Sequence, residues 1–103
     1  MKVSFKEENH LFVATLEGRL DTAASEQAAA DLAPLNDCSG HDIVIDCTRL
    51  EYISSSGLRI LLSIRKNAQK LHSKVTLKGV NDVIYDVLRM TGFTQLFEIE
   101  RAD

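Results

Sequence analysis

The chain reads as a single α/β domain, residues 1–103, built on a mixed sheet of about four to five strands with about three to four helices. Three observations predict it. The continuous apolar run Ile43-Val44-Ile45 is the pattern of a strand in a parallel sheet covered on both faces. Segments with alternating apolar residues take turns along the chain with segments of helical spacing, which implies right-handed crossovers and helices packed on the sheet. A length of 103 residues suits one domain, able to bury roughly 60 to 65 per cent of its extended-chain surface.

Taken in order, Val3 and Phe5 alternate with polar neighbours, and Leu11-Phe12-Val13-Ala14-Thr15-Leu16 follows Glu8-Asn9, so the start reads as two strands joined by a short turn and paired antiparallel. Gly18-Arg19-Leu20-Asp21 ends the second strand. Asp21 or Thr22 then caps a helix on the alanine-rich segment from Ala23 to Leu32, which Pro34 ends. Ile43-Val44-Ile45 is the expected sheet centre, followed by a loop from Thr48 to Ser54. Leu58, Leu61, Leu62, Ala68 and Leu71 recur at helical spacing with Ile64 widening the face, and Arg59, Arg65, Lys66 and Lys70 supply the polar sides. Val75-Thr76-Leu77 is a further strand. Val83, Ile84, Val87 and Leu88 mark one face of a third helix with Gly92 as its stop, and Phe97 with Ile99 suggests a closing edge strand.

The composition excludes several function classes. Hydrophobic residues make up 45% and charged residues 26%, with one proline and five glycines, so order is expected nearly end to end. The net charge is -3 and the basic residues are scattered, which argues against direct nucleic-acid binding. No apolar run approaches the roughly 20 residues of a membrane span, and the first residues lack a signal-peptide apolar segment; no membrane insertion is expected and the location defaults to cytoplasmic.

Cys38 and Cys47 are too far apart for a CxxC element and read as thiols, Cys47 as a small buried hydrophobe. His10, His41 and His72 fall at no metal-ligand spacing and read as exposed loop residues. Asp42 and Asp46 would stand about 13 Å apart on one strand face, too far for a metal pair. Asp46 is read at the C-terminal end of its strand, either lining a functional loop or accepting backbone N–H bonds in the turn. Neither GxxxxGK[ST] nor GxGxxG is present, and GxSxG is absent with no placed base, so no catalytic, cofactor-binding or metal-binding residue is assigned and the chain is not read as an enzyme.

Ser54-Ser55-Ser56-Gly57 stands between an apolar strand and an amphipathic helix. The first N–H groups of a helix lack internal partners and carry the positive end of its dipole, so a phosphorylated hydroxyl is tolerated there. The same four residues also read as a plain serine cap and a glycine that admits close packing.

The ordered blocks Gly18-Arg19-Leu20-Asp21, Ile43-Val44-Ile45-Asp46-Cys47-Thr48 and Tyr52-Ile53-Ser54-Ser55-Ser56-Gly57-Leu58 resemble the STAS domain of anti-sigma factor antagonists, and Leu77 to Val83 with Val87 to Phe93 resemble its last strand, helix and turn. The resemblance implies a module that binds an anti-sigma factor/serine kinase when unphosphorylated, so releasing a sigma factor, and is switched off by phosphorylation and reset by a phosphatase. Carried onto this chain it places the phosphoacceptor at Ser55, with Ser54 and Ser56 as neighbouring alternatives, and a partner-binding surface at Asp21, Ser54, Ser56, Gly57 and Arg59. ATP and magnesium are expected on the kinase. The departure is Ser54, where the family usually has aspartate. That departure keeps a second reading in view, a regulatory subunit of a membrane lipid-transport ATPase with no phosphorylation cycle.

Overall fold

Asn9 and His10 separate the first two alternating segments, and Asn9 takes the left-handed φ of 53° that a tight hairpin needs and asparagine tolerates. In the computed structural model, which describes residues 1–102, they join β1 (Lys2–Glu8) to β2 (Leu11–Leu20) as an antiparallel pair. The chain then alternates α1 (Thr22–Leu32), β3 (Asp42–Ile53), α2 (Ser55–Lys70), β4 (Val75–Val80), α3 (Asp82–Met90) and β5 (Glu98–Arg101). Short 3₁₀ turns at Ala33–Asn36 and Phe93–Gln95 follow α1 and α3. Spatial order equals sequence order, β3 is central, and every pairing after the hairpin is parallel, giving the expected mixed sheet.

All three crossovers step the same way across the sheet, and right-handed connections that do so place their helices on one face. Ala14, Leu16, Ile43, Ile45, Cys47, Val75 and Leu77 are buried in the core on that side, while Val13, Val44 and Thr76 are half-buried and Lys78 is exposed on the other. The expectation that Ile43-Val44-Ile45 is covered on both faces is therefore corrected. An apolar run in a parallel strand signals double cover only when successive crossovers reverse direction, and here none does.

Two boundaries also differ from the sequence reading. The segment expected as a loop from Thr48 is the second half of β3, and β2 runs through Gly18 to Leu20. The pairing of β2 with β3 slips between Thr15 and Glu17 and again between Gly18 and Arg19, with Gly18 at φ 99°. Bulges of this kind break the two-residue alternation, so Leu50 and Ile53 reach the core three residues apart and leave no strand signature. Asp46 consequently lies mid-strand, not at the strand's end. His41, expected as an exposed loop residue, is half-buried, stacked 4.1 Å from Phe12 with Nε2 2.6 Å from Glu7 Oε2.

The face of α2 read from its spacing is the one that packs: Leu58, Leu61, Ile64 and Ala68 are buried against the sheet. Each large side chain there contributes about 1.5–3 kcal/mol by leaving water. That seam fixes the helix axis, and with it the position of the helix's first turn.

Candidate functional site

Ile53 is the last residue of β3 and Ser55 the first of α2, so the strand-to-helix turn is one residue long. So short a turn holds only if that residue leaves the strand with extended dihedrals and supplies the acceptor that the helix start lacks. Ser54 does both. Its φ is -91° and ψ 172°, its Oγ accepts from the Gly57 N–H at 3.2 Å, and its own N–H donates to the Leu20 carbonyl at 2.9 Å. With 8% of its surface exposed, Ser54 lies inside the turn.

Gly57 is buried in the third helical position. A Cβ there would sit 2.7 Å from Leu20 Cγ and 2.9 Å from Ile53 Cγ1, so crowding by the core demands glycine. Ser55 is exposed at the first helical position, Ser56 is half-buried at the second, and Arg59 is exposed one turn further on.

The Leu20 carbonyl that receives Ser54 belongs to the residue before Asp21, which caps α1 by accepting the Ala24 N–H at 2.9 Å. Ser25, a buried hydroxyl that the sequence reading passed over, donates to the Asp21 carbonyl at 2.7 Å and braces that turn. The mouths of α1 and α2 are thus tied together. Asp21, Ser54, Ser55, Ser56, Gly57 and Arg59 gather at this end of the molecule, with Ser55 and Arg59 outermost and Ser54 and Gly57 internal.

The three helix mouths differ in charge. α1 opens on the Asp21 carboxylate, and α3 opens on the Asn81 amide with Asp82 in its first turn. α2 has neither a charged cap nor an acidic residue in its first turn. An anion at Ser55 would meet an uncompensated dipole, an interaction worth about 0.3–1 kcal/mol at an exposed helix start.

Tyr52, expected in a loop, lies in the bulged end of β3. It is 39% exposed two residues before Ser54, with the Arg19 guanidinium 4.5 Å from its ring centroid. Only the register of Arg19 against Tyr52 could have revealed the stack, and the extra residues of β3 at its two slips against β2 remove that signal.

Two side chains of β3, away from this end, depart from their ordinary titration. Burial alone would raise the Asp46 pKa, but its Oδ1 accepts the Thr48 hydroxyl at 2.6 Å and the Thr48 N–H at 3.0 Å; with Lys78 and Arg49 nearby the net shift is downward. Cys38 and Cys47 are free and buried, and burial, with a smaller push from Asp46, drives the Cys47 thiol up to about 12. Among the described residues no group of three His, Cys, Asp or Glu side chains could hold a metal ion, and no helix is long and apolar enough to cross a membrane.

Residues 2–102 match the family model described as the STAS domain. BtrV of Bordetella bronchiseptica, described as a candidate anti-sigma factor antagonist, is 30% identical over 102 residues, 99% of this chain and 88% of that protein. The anti-sigma-B factor antagonist of Listeria monocytogenes is 25% identical over 93 residues, 90% of this chain and 79% of that one. Among solved structures, the Bacillus cell fate determinant SpoIIAA matches in its unphosphorylated form with a TM-score of 0.75 at 18% identity, covering 99% of this chain and 90% of that one. Its phosphorylated form matches with a TM-score of 0.73 at 19% identity, covering 95% and 90%.

Proposed function

The chain belongs to the STAS domain family, and we propose that it is an anti-sigma factor antagonist: unmodified, it docks on an anti-sigma factor that is also a serine kinase and so frees a sigma factor; phosphorylated on Ser55, it lets go. The observation that carries this reading is the exposed Ser55 hydroxyl at the first position of α2, held on a turn whose cap and packing come from other residues, Ser54 and Gly57. Ser55 can therefore be esterified without removing a hydrogen bond or a core contact of the fold.

In this reading Ser55 Oγ attacks the γ-phosphorus of ATP held with magnesium on the kinase. The Oγ–P bond forms as the bond to ADP breaks, and the hydroxyl proton passes to a base on the kinase. The product carries about -1.5 to -2 charges. The dipole of α2 compensates part of that charge within the module, so the scaffold has no reason to move. The cost falls on the complex, where a dianion must be desolvated against a partner surface shaped for a neutral hydroxyl. That SpoIIAA in both of its forms matches this chain about equally supports a switch that acts on the surface and leaves the fold alone.

The test incubates the protein with ATP and candidate anti-sigma factor kinases and maps the modified residue by mass spectrometry. Phosphate at position 55 is expected; Ser55→Ala should abolish its incorporation while keeping partner affinity, and Ser55→Glu should weaken binding about tenfold or more. Affinities equal among native, alanine and glutamate forms would reduce Ser55 to a helix residue. Copurification with a transporter ATPase in place of a soluble kinase would move the assignment to the lipid-transport reading.

A further inference from the structure

We infer that Arg59 is the counter-charge of a Ser55 phosphate, and that pairing with it withdraws Arg59 from a partner-facing groove between α1 and α2; the inference rests on the reading of Ser55 as the phosphoacceptor. The chain has six arginines, and five are engaged. Arg19 lies over Tyr52, Arg49 pairs with Glu17, and Arg65 donates to the Leu96 carbonyl and Gln69. Arg89 pairs with Asp86, while Arg101 pairs with Asp82 and covers the Tyr85 ring. Of the arginines, all among the described residues, Arg59 alone makes no ion pair, hydrogen bond or ring contact of these kinds.

Its position suits a phosphate on Ser55, the exposed one of the two serines it neighbours along the helix, Ser56 being half-buried. Ser55 and Arg59 are four residues apart on α2, neighbours on the helix surface, with the acidic partner N-terminal to the basic one, which is the favourable orientation for such pairs. A guanidinium also offers a planar fork of donors that fits two phosphate oxygens at once. On its other side Arg59 borders a groove of about 280 Å³ lined by Leu32, Asn36, Ile60, Ser63 and Ile64. One side chain cannot serve both places. Unmodified, Arg59 is free to meet a carboxylate of a partner seated at the groove; modified, it is held one turn back along the helix. Phosphorylation then changes the docking surface twice, by adding a dianion and by removing a cation.

The pairing is read without any kinase if phosphoserine is installed at position 55 by genetic encoding and its second ionisation is followed by phosphorus NMR. In the native background the ionisation should fall about 0.2 to 0.4 pH unit below that in Arg59→Gln, from the size expected of exposed helix pairs, with Arg59→Lys between the two. Equal values in native protein and Arg59→Gln would overturn the pairing. In the unmodified protein Arg59→Gln should weaken anti-sigma factor kinase binding about fivefold, and phosphorylation should then cost less affinity than in the native chain; an unchanged affinity would overturn the withdrawal. A shifted ionisation in a protein that no kinase modifies would uphold the pairing and sink the phosphoacceptor reading.

Discussion

α1 and α2 open beside each other by the same device, one side chain accepting the N–H three residues on, yet they do so with opposite electrostatics and opposite packing. At α1 the acceptor is the Asp21 carboxylate and the third helical residue is Ala24. At α2 the acceptor is the neutral, buried Ser54 hydroxyl and the third residue is Gly57, pressed against Leu20 and Ile53. The charge that completes a helix mouth is built into α1 and left out of α2. One mouth is finished by the sequence, while the other is ready to be finished by a modification.

The largest test of that contrast is steric. Gly57→Ala gains about 1 kcal/mol of helix propensity but drives a methyl into carbons of the core, a clash of about 1–3 kcal/mol in a site that cannot relax freely. With contacts under 3.0 Å the clash should win, and thermal unfolding should show a Tm lowered by several degrees. Ala24→Gly in α1 should lose about 1 kcal/mol from propensity alone. A Gly57→Ala protein as stable as the native one would mean that the α2 mouth is not tightly packed.

Removing the caps comes next. Asp21→Ala and Ser54→Ala should each cost about 1 kcal/mol in denaturant unfolding. The Asp21 loss should be the greater at low salt, since it also removes a charge–dipole interaction, and the gap should close at about 1 M salt, where the Debye length is about 3 Å. A gap that salt does not change would place the difference in hydrogen bonding instead of charge.

The smallest effect is the most diagnostic. Glutamate at the first helical position should stabilise α2, as Ser55→Glu, by about 0.5 kcal/mol, because nothing there already answers the dipole. The equivalent Thr22→Glu in α1 should be close to neutral, since the new charge sits beside Asp21. Equal effects at the two positions would erase the distinction between the mouths.

Much of this was legible in the chain. The helical spacing of Leu58, Leu61, Ile64 and Ala68 sets the face of α2, and a serine-rich turn after an apolar strand marks the mouth, because capping and periodicity are local properties. The hidden parts depend on pairing between distant residues. Bulges in β3, where it pairs with β2, mask its second half and, with it, the stack of Arg19 on Tyr52. The single-sided helix cover follows from strand order, which no local pattern encodes. The burial of Ser54 beside an exposed Ser55 separates three chemically identical neighbours, and only the one-residue turn decides which hydroxyl faces outward.

The bare side of the sheet is also a convenience for measurement. Glu100 stands exposed on β5 in register with Lys78, on the side that carries no helix, and both native thiols are buried. A cysteine introduced in its place would be the one thiol open to a maleimide. A dye or a biosensor tether fixed there would leave the tied mouths of α1 and α2 unobstructed, so that arrivals and departures at Ser55 could be timed on an immobilised molecule.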